Sequence, residues 1–299
     1  MMKKLFAILF VLMFAVTGAM AEEPGWKVTA PNGAPALAVA VMAAENPDSY
    51  TFITADTIGA AFAASEADFI IAPVNAGAKL YKAGKSSYKL GAVVTWGNLY
   101  IASQRENFTL EDLKDNKITL FGADTINASV ALFALKENGI EPKQSDALAG
   151  AAETKAMLES DPDAIVLTAE PMLTAAKASI PQITAYSVNE LLEKATGMTG
   201  YTQAGLFIRA ETIENSPGTV AVFLEKLKES AALCTDDVDK VSEALATLGM
   251  KFPKAAIANC AIRFETAADA REMVEKTAAV DPAQFGGELP ADDFYYAAE

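Results

Sequence analysis

Short apolar strand segments alternate with helical ones from Trp26 to Arg209, and only a few residues join one to the next. Trp26–Ala30, Tyr50–Thr54, Asp68–Ala72, Tyr88–Thr95 and Leu99–Ser103 read as strands. Pro35 suits the first position of an apolar helix over Ala36–Ala44, and a second helix is expected over Ala76–Ala83. A second set follows: a short helix capped by Thr109, a strand over Lys117–Phe121, and a helix carrying Ile126, Val130, Phe133 and Leu135 at helical spacing. Gly139 stands where a C-terminal stop belongs. Asp163–Thr168, Pro181–Val188 and Ala204–Arg209 read as further strands, and the last ninety or so residues as mostly helical, with Ser216-Pro217 opening the longest helix. This alternation predicts an α/β protein with mostly parallel sheets under helices.

The pattern breaks twice, at Trp96-Gly97-Asn98 and near 198–203. Two α/β lobes joined by two crossings are expected: lobe 1 from 22–97 and 202–299, lobe 2 from 98–201. Open α/β sheets hold ligands at the carboxyl ends of their strands, so the cleft between the lobes is the expected site.

Lys3 and Lys4 precede an apolar run from Leu5 to Val16, and Ala19-Met20-Ala21 follows it. That is the pattern of a Sec signal peptide over 1–21, and the run is too short to span about 30 Å of hydrocarbon. With no cysteine near the cleavage site, a soluble periplasmic protein rather than a lipoprotein is expected. Loss of 1–21 removes two lysines and no acid, which leaves 22 basic and 39 acidic groups and a net charge of −17. Such a surface disfavours nucleic acid and anionic membranes as partners. The chain has no histidine, so histidine-dependent triads, dyads, metal sites and acid/base steps are excluded. No metal and no cofactor is expected. Its two cysteines, Cys234 and Cys260, form one disulfide in an oxidising compartment or remain two buried thiols.

The order of several short motifs resembles the nitrate/sulfonate/taurine type of ABC-transporter substrate-binding protein (SsuA/THI5-like, NMT1-like). They are Phe69-Ile-Ile-Ala-Pro-Val-Asn75, Leu99-Tyr-Ile-Ala-Ser103 with Leu110-Glu-Asp-Leu-Lys114, Val166-Leu-Thr-Ala-Glu-Pro171, Gly205-Leu-Phe-Ile-Arg209, and the tail from Gly286 to Tyr296. The resemblance implies a type II periplasmic-binding-protein fold whose lobes close on a small molecule. It implies delivery to an ABC permease and its ATPase, without catalysis, and a monomer is expected. Two alternatives remain on the same fold: a menaquinone-pathway-like lyase, or a receptor subunit that presents its ligand to a membrane sensor.

Candidate ligand residues lie on loops and crossings. Asn32 and Gly33 end the first strand, as ligand contacts or as a helix-opening turn. Asn75 follows another strand, as a contact or a cap. Trp96 is either a flat wall for an aromatic or cationic ligand or a packing residue of the crossing, and Asn98 lies beside it. Thr125, after Asp124, opens a helix at a position where the resembling family often contacts its ligand. Glu170, ending a strand before Pro171, either meets a ligand amine or caps the next helix. Tyr201 lies in the second crossing. None of the four arginines falls on a loop facing the expected cleft. Trp96 and Glu170 together favour a neutral or cationic, partly planar ligand.

Overall fold

The structure is a computed structural model that describes residues 25–145 and 147–297; the leader expected over 1–21 lies outside the described residues. Its first part comprises β1 (Val28–Pro31), a 3-10 segment (Ala34–Val39) running into α1 (Ala40–Glu45), β2 (Tyr50–Ile53), α2 (Ile58–Ala64), β3 (Phe69–Pro73), α3 (Val74–Lys82) and β4 (Lys89–Thr95). The middle comprises β5 (Leu99–Ser103), β6 (Lys117–Ile118), α4 (Ile126–Glu137), β7 (Lys143–Gln144), α5 (Ala151–Ser160), β8 (Ile165–Ala169), α6 (Met172–Ser179), β9 (Thr184–Ser187) and α7 (Val188–Thr196). The remainder is β10 (Ala204–Ile208), α8 (Ala210–Asn215), α9 (Pro217–Asp236), α10 (Val238–Thr247), α11 (Lys254–Ile257), β11 (Ile262–Thr266) and α12 (Ala267–Val280).

Six strands form one sheet in the order β11-β4-β10-β3-β1-β2, and three form another in the order β8-β5-β9. A two-stranded parallel pair, β6 with β7, joins the second sheet through a Thr119–Val166 bridge. The fold class is α/β, but the sheets are mixed rather than mostly parallel. β1 pairs in parallel with β2 and β3, whereas β10 lies antiparallel to both β3 and β4, and β11 antiparallel to β4. The reason is the route of the chain. β4 leaves the six-stranded sheet at the edge where β10 returns, so β10 must run the other way. β11 falls within the tail that the sequence predicts to be mostly helical, and Ile262 starts it beside Thr95 at that same edge.

β3, β8 and β10 are almost wholly buried, which suits strands covered on both faces. One apolar cluster lies behind the six-stranded sheet, where Trp26, Phe69 and Phe223 pack and the last two rings stack at 3.8 Å. The other large cluster starts on the opposite face and continues through Trp96, Leu99 and Tyr201 into the smaller sheet. The tail packs on the six-stranded sheet, with Phe294 buried against Tyr81 and Phe207 and the Tyr296 N–H donating to the Leu90 carbonyl at 2.8 Å. Ser216 precedes α9 but its hydroxyl caps nothing.

The disulfide considered for Cys234 and Cys260 is not formed. Both thiols are free and buried, with Cys234 Sγ directed at the Leu37 carbonyl (3.6 Å) and Cys260 Sγ at that of Ala256 (3.2 Å). Each side chain is taken up by its own packing in the core. Among the described residues no helix is long and apolar enough to cross a membrane.

Candidate functional site

Strand direction decides which loops share an edge. In the six-stranded sheet the carboxyl ends of β1, β2, β3 and β4 and the amino ends of β10 and β11 lie together. Asn32-Gly33, Asn75, Trp96–Asn98, Tyr201–Gln203 and Asn259–Ala261 therefore line one edge. In the smaller sheet Ala169 pairs with Leu99 and Ser187 with Tyr100, so Glu170 and the start of α7 lie where the chain arrives from the first sheet. The parallel bridge at Thr119 brings Phe121–Thr125 to the same end. The two edges are joined by Trp96–Asn98 and by the return at 198–203. The expected loops are thus gathered at the junction of the sheets.

Burial divides them. Trp96 is 1 % exposed, so it is packing and not a ligand wall. Its indole N–H donates to the Arg263 carbonyl at 3.0 Å, and the Arg263 guanidinium lies 3.8 Å from the ring centroid. The chain does place an arginine at the edge, therefore, although on β11 rather than on a strand-to-helix loop. Tyr201 is fully buried, and its hydroxyl donates to Asn127 Oδ1 at 2.7 Å. Burial pushes that phenol well above its usual range. Neither ring presents a surface to a ligand.

Asn98 and Glu170 are buried and mutually bonded. Asn98 Nδ2 donates to the Glu170 carbonyl at 3.0 Å, and the Glu170 N–H donates to that of Asn98 at 3.1 Å. The Glu170 carboxylate accepts from the Thr174 N–H (3.0 Å), from the Thr174 hydroxyl (2.9 Å) and from Asn259 Nδ2 (3.4 Å). It caps α6 and ties the smaller sheet's edge to the larger one. Gln203 Nε2 donates to Asn98 Oδ1 at 3.1 Å, which extends the network into the second crossing. Gln203 lies with Tyr201 in the second crossing, where the sequence places candidate ligand contacts, whereas nothing in the sequence gives Asn259 or Arg263 a place at the site. Asn259 lies 89 positions from Glu170, and no local pattern announces that pair.

Four residues keep open positions. Asn32 and Gly33 are exposed; Asn32 Nδ2 donates to the Ile53 carbonyl at 3.1 Å, and Gly33 has φ 101° with nothing near the place of a side chain. Asn75 is half-buried in the first turn of α3. Thr125 is exposed at the start of α4, and its hydroxyl donates back to the Gly122 carbonyl at 2.7 Å, so it leaves that helix uncapped. Asp124 does not cap α4 either; its carbonyl accepts from Gln284 Nε2 of the larger half at 2.9 Å.

Capping is therefore unequal around the junction. Glu170 closes α6, and the Ser187 hydroxyl closes α7 by accepting from the Glu190 N–H at 3.4 Å. α3 and α4 have no side-chain cap and no acidic residue in the first turn. Their first-turn N–H groups, apart from Val74's, which donates to the Gln203 carbonyl, carry the positive end of a helix dipole without a protein partner from a cap.

No family model matches the sequence, and no curated protein matches it. Solved structures do. The chain superposes on an ABC transporter protein from Parabacteroides distasonis with a TM-score of 0.79 at 20% identity, over 92% of this chain and 99% of that one. The periplasmic aliphatic sulphonate binding protein SsuA from Escherichia coli gives 0.70 at 14% identity, over 92% of each chain. The alkanesulfonate-binding protein SsuA from Xanthomonas axonopodis pv. citri, solved with MOPS bound, gives 0.64 at 15% identity, over 91% and 99%. The fold is that of the periplasmic binding proteins.

Proposed function

We propose that this protein is the extracytoplasmic solute-binding component of an ABC importer. It captures a small organic ligand between a lobe built from 22–97 with 202–299 and a lobe built from 98–201, performs no chemistry on it, and hands it to a permease driven by an ATPase. The leader expected at 1–21 supports export to the periplasm. The neighbours in fold support the transport role, since they carry that description across nearly their full lengths.

The observation that carries the ligand class is the pair of uncapped helices. Trp96 and Glu170, which favoured a cationic planar ligand, are both consumed by internal contacts. What remains open is α3 in one lobe and α4 in the other, each offering N–H donors at the positive end of its dipole. The ligand accordingly presents hydrogen-bond acceptors, as a carboxylate, a sulfonate or a carbonyl group does, with Gly33 and Asn75 beside it.

Native mass spectrometry of the purified mature chain, followed by thermal shifts across a panel of organic acids, sulfonates and amides, tests the reading. A ligand at a hundred times its Kd stabilises by about 2.7 kcal/mol, which is well resolved by such a shift. The Asn75→Asp variant separates binding from folding. A carboxylate in the first turn of α3 leaves the free protein as stable or slightly more stable, yet repels an acceptor-bearing ligand by about tenfold in Kd. A panel without any ligand-dependent shift, or an N75D protein that binds as before, rejects this assignment.

A further inference from the structure

A pocket of about 690 Å³ lies away from the junction of the sheets. It lies at the opposite, amino-terminal edge of β1 and β2, between α1, α9 and α10. Trp26 and Ser230 line it; each is 3 % exposed, and neither Trp26 Nε1 nor Ser230 Oγ has a hydrogen-bond partner. An unpaired buried donor costs about 1–3 kcal/mol, so two of them in one pocket wall call for an explanation. Trp26 cannot swing away to find one. Its ring is held edge-on against Phe223 at 5.3 Å and Phe69 at 6.5 Å.

The rest of the lining tells what would satisfy them. The indole N–H can only donate, and the serine hydroxyl donates after a turn about its Cα–Cβ bond. Met42 and Leu233 supply an apolar wall. Glu45 and Glu229 are matched by Lys226 and Lys240, so the lining is balanced in charge on a chain whose net charge is −15. A bare anion would meet two carboxylates there and a bare cation two ammonium groups. A zwitterion with an apolar side chain meets neither penalty.

We infer that this pocket is a second small-molecule site, distinct from the cleft, and that it takes an apolar α-amino acid. The carboxylate accepts from Trp26 Nε1 and Ser230 Oγ, the ammonium group faces the glutamates, and the side chain lies against Met42 and Leu233. The volume is within the usual range for such sites, about 300–1,000 Å³.

The chain has only two tryptophans, so the indole N–H region of a nitrogen-15 correlation spectrum holds one signal for this pocket and one for the crossing. Trp26→Phe identifies which is which. Leucine is the probe. Its titration is expected to move the Trp26 signal to saturation and leave that of Trp96 in place. Leucinamide, which lacks the carboxylate, and 4-methylpentanoate, which lacks the ammonium group, are expected to bind at least tenfold more weakly. Ser230→Ala should weaken leucine about fivefold while the protein keeps its melting temperature, because the lost hydroxyl has no partner in the free state. Gly84→Ala, at a residue that lines neither this pocket nor the cleft, should leave the leucine titration of the Trp26 signal as it is. A Trp26 signal that stays still under saturating leucine, analogues that bind as tightly as leucine, or a Ser230→Ala protein with unchanged affinity would each overturn the assignment.

Discussion

A thiol sealed in an apolar core is penalised for ionising, and both cysteines show it. Burial pushes the Cys234 thiol up to about 12 and drives that of Cys260 higher still, with the nearby Glu170 adding to the effect. At pH 8 neither is expected to react with iodoacetamide in the folded protein, whereas both react in denaturant. Intact mass after labelling reads the outcome, and an adduct on the folded chain would contradict the burial. The same logic of commitment applies to the two residues that stood out most in the sequence. Glu170→Gln should cost about 1 kcal/mol through a weakened cap on α6, with ligand affinity unchanged. Trp96→Ala should cost about 3–5 kcal/mol by opening a cavity at the crossing. Chemical denaturation measures both. The position of these residues at a strand end was legible from apolar runs that stop at Pro171 and Gly97. Their partners were not. Thr174 is four residues from Glu170 and readable in principle as a capping pattern, but Asn259, in the turn before β11, and Arg263, on β11, are distant in sequence and only the folded sheet brings them near.

The crossing itself is the element where backbone geometry is least forgiving. Gly97 has φ 87°, and a side-chain carbon there would stand 2.6 Å from Tyr201 Cδ1 and 2.7 Å from Asn189 Oδ1. Asn189 in turn uses its Nδ2 to hold the carbonyls of Trp96 (2.9 Å) and Gly97 (3.0 Å). Gly97→Ala should therefore destabilise by at least about 2 kcal/mol, from a left-handed backbone and a displaced tyrosine together. Gly84→Ala, also at positive φ but with open space around it, serves as the control and should cost about 1 kcal/mol. Equal losses would show that the close contact at Gly97 is without consequence. Elements with an apolar run or a clear stop were visible in the sequence: β5 and β3 sit where expected, and Gly139 ends α4 in a left-handed conformation. α2 and α5 were not, because α2 buries only Ile58 and Phe62, and α5 only Thr154 and Leu158, too few for a period to show. β11 escaped for a different reason. Its residues are mostly half-exposed at a sheet edge, and a strand of that kind carries little apolar signal.

At the scale of the molecule, two features of the junction pull in opposite directions. An apolar cluster runs unbroken from one sheet to the other through Trp96 and Tyr201, which couples the halves. Yet buried polar atoms of Thr95, Asn189, Thr202 and Gln203 have no partner, and all belong to the crossings or to the helix that braces them. Atoms left unpaired in one arrangement are those a different arrangement can satisfy. Side-chain bonds also span the halves away from the crossings, among them Ser129 to Asp281 (2.7 Å), Gln284 to the Asp124 carbonyl (2.9 Å) and Asn259 to Glu170 (3.4 Å). Separation of the halves would expose the shared core. Thermal unfolding should follow as one calorimetric transition rather than two. That transition should also move with pH in a stated direction. Cys234, Tyr100 and Tyr295 are each pushed to about 12 by burial, above their ordinary 9.0 and 10.0. A group whose pKa is raised on folding contributes its full stability below the unfolded value and loses it as pH climbs to the folded one. The melting temperature should hold up to about pH 9 and fall between there and about 12, and Cys234→Ala should soften the first part of that fall. Hydrogen exchange completes the argument for motion at the crossings. If the ligand draws the halves together and gives those unpaired atoms partners, amides of 95–98 and 201–203 should exchange more slowly once it is bound, while those of β3 and β8 stay as they were. Unchanged exchange at the crossings with bound ligand would mean that the two halves act as a rigid body and that binding proceeds without closure.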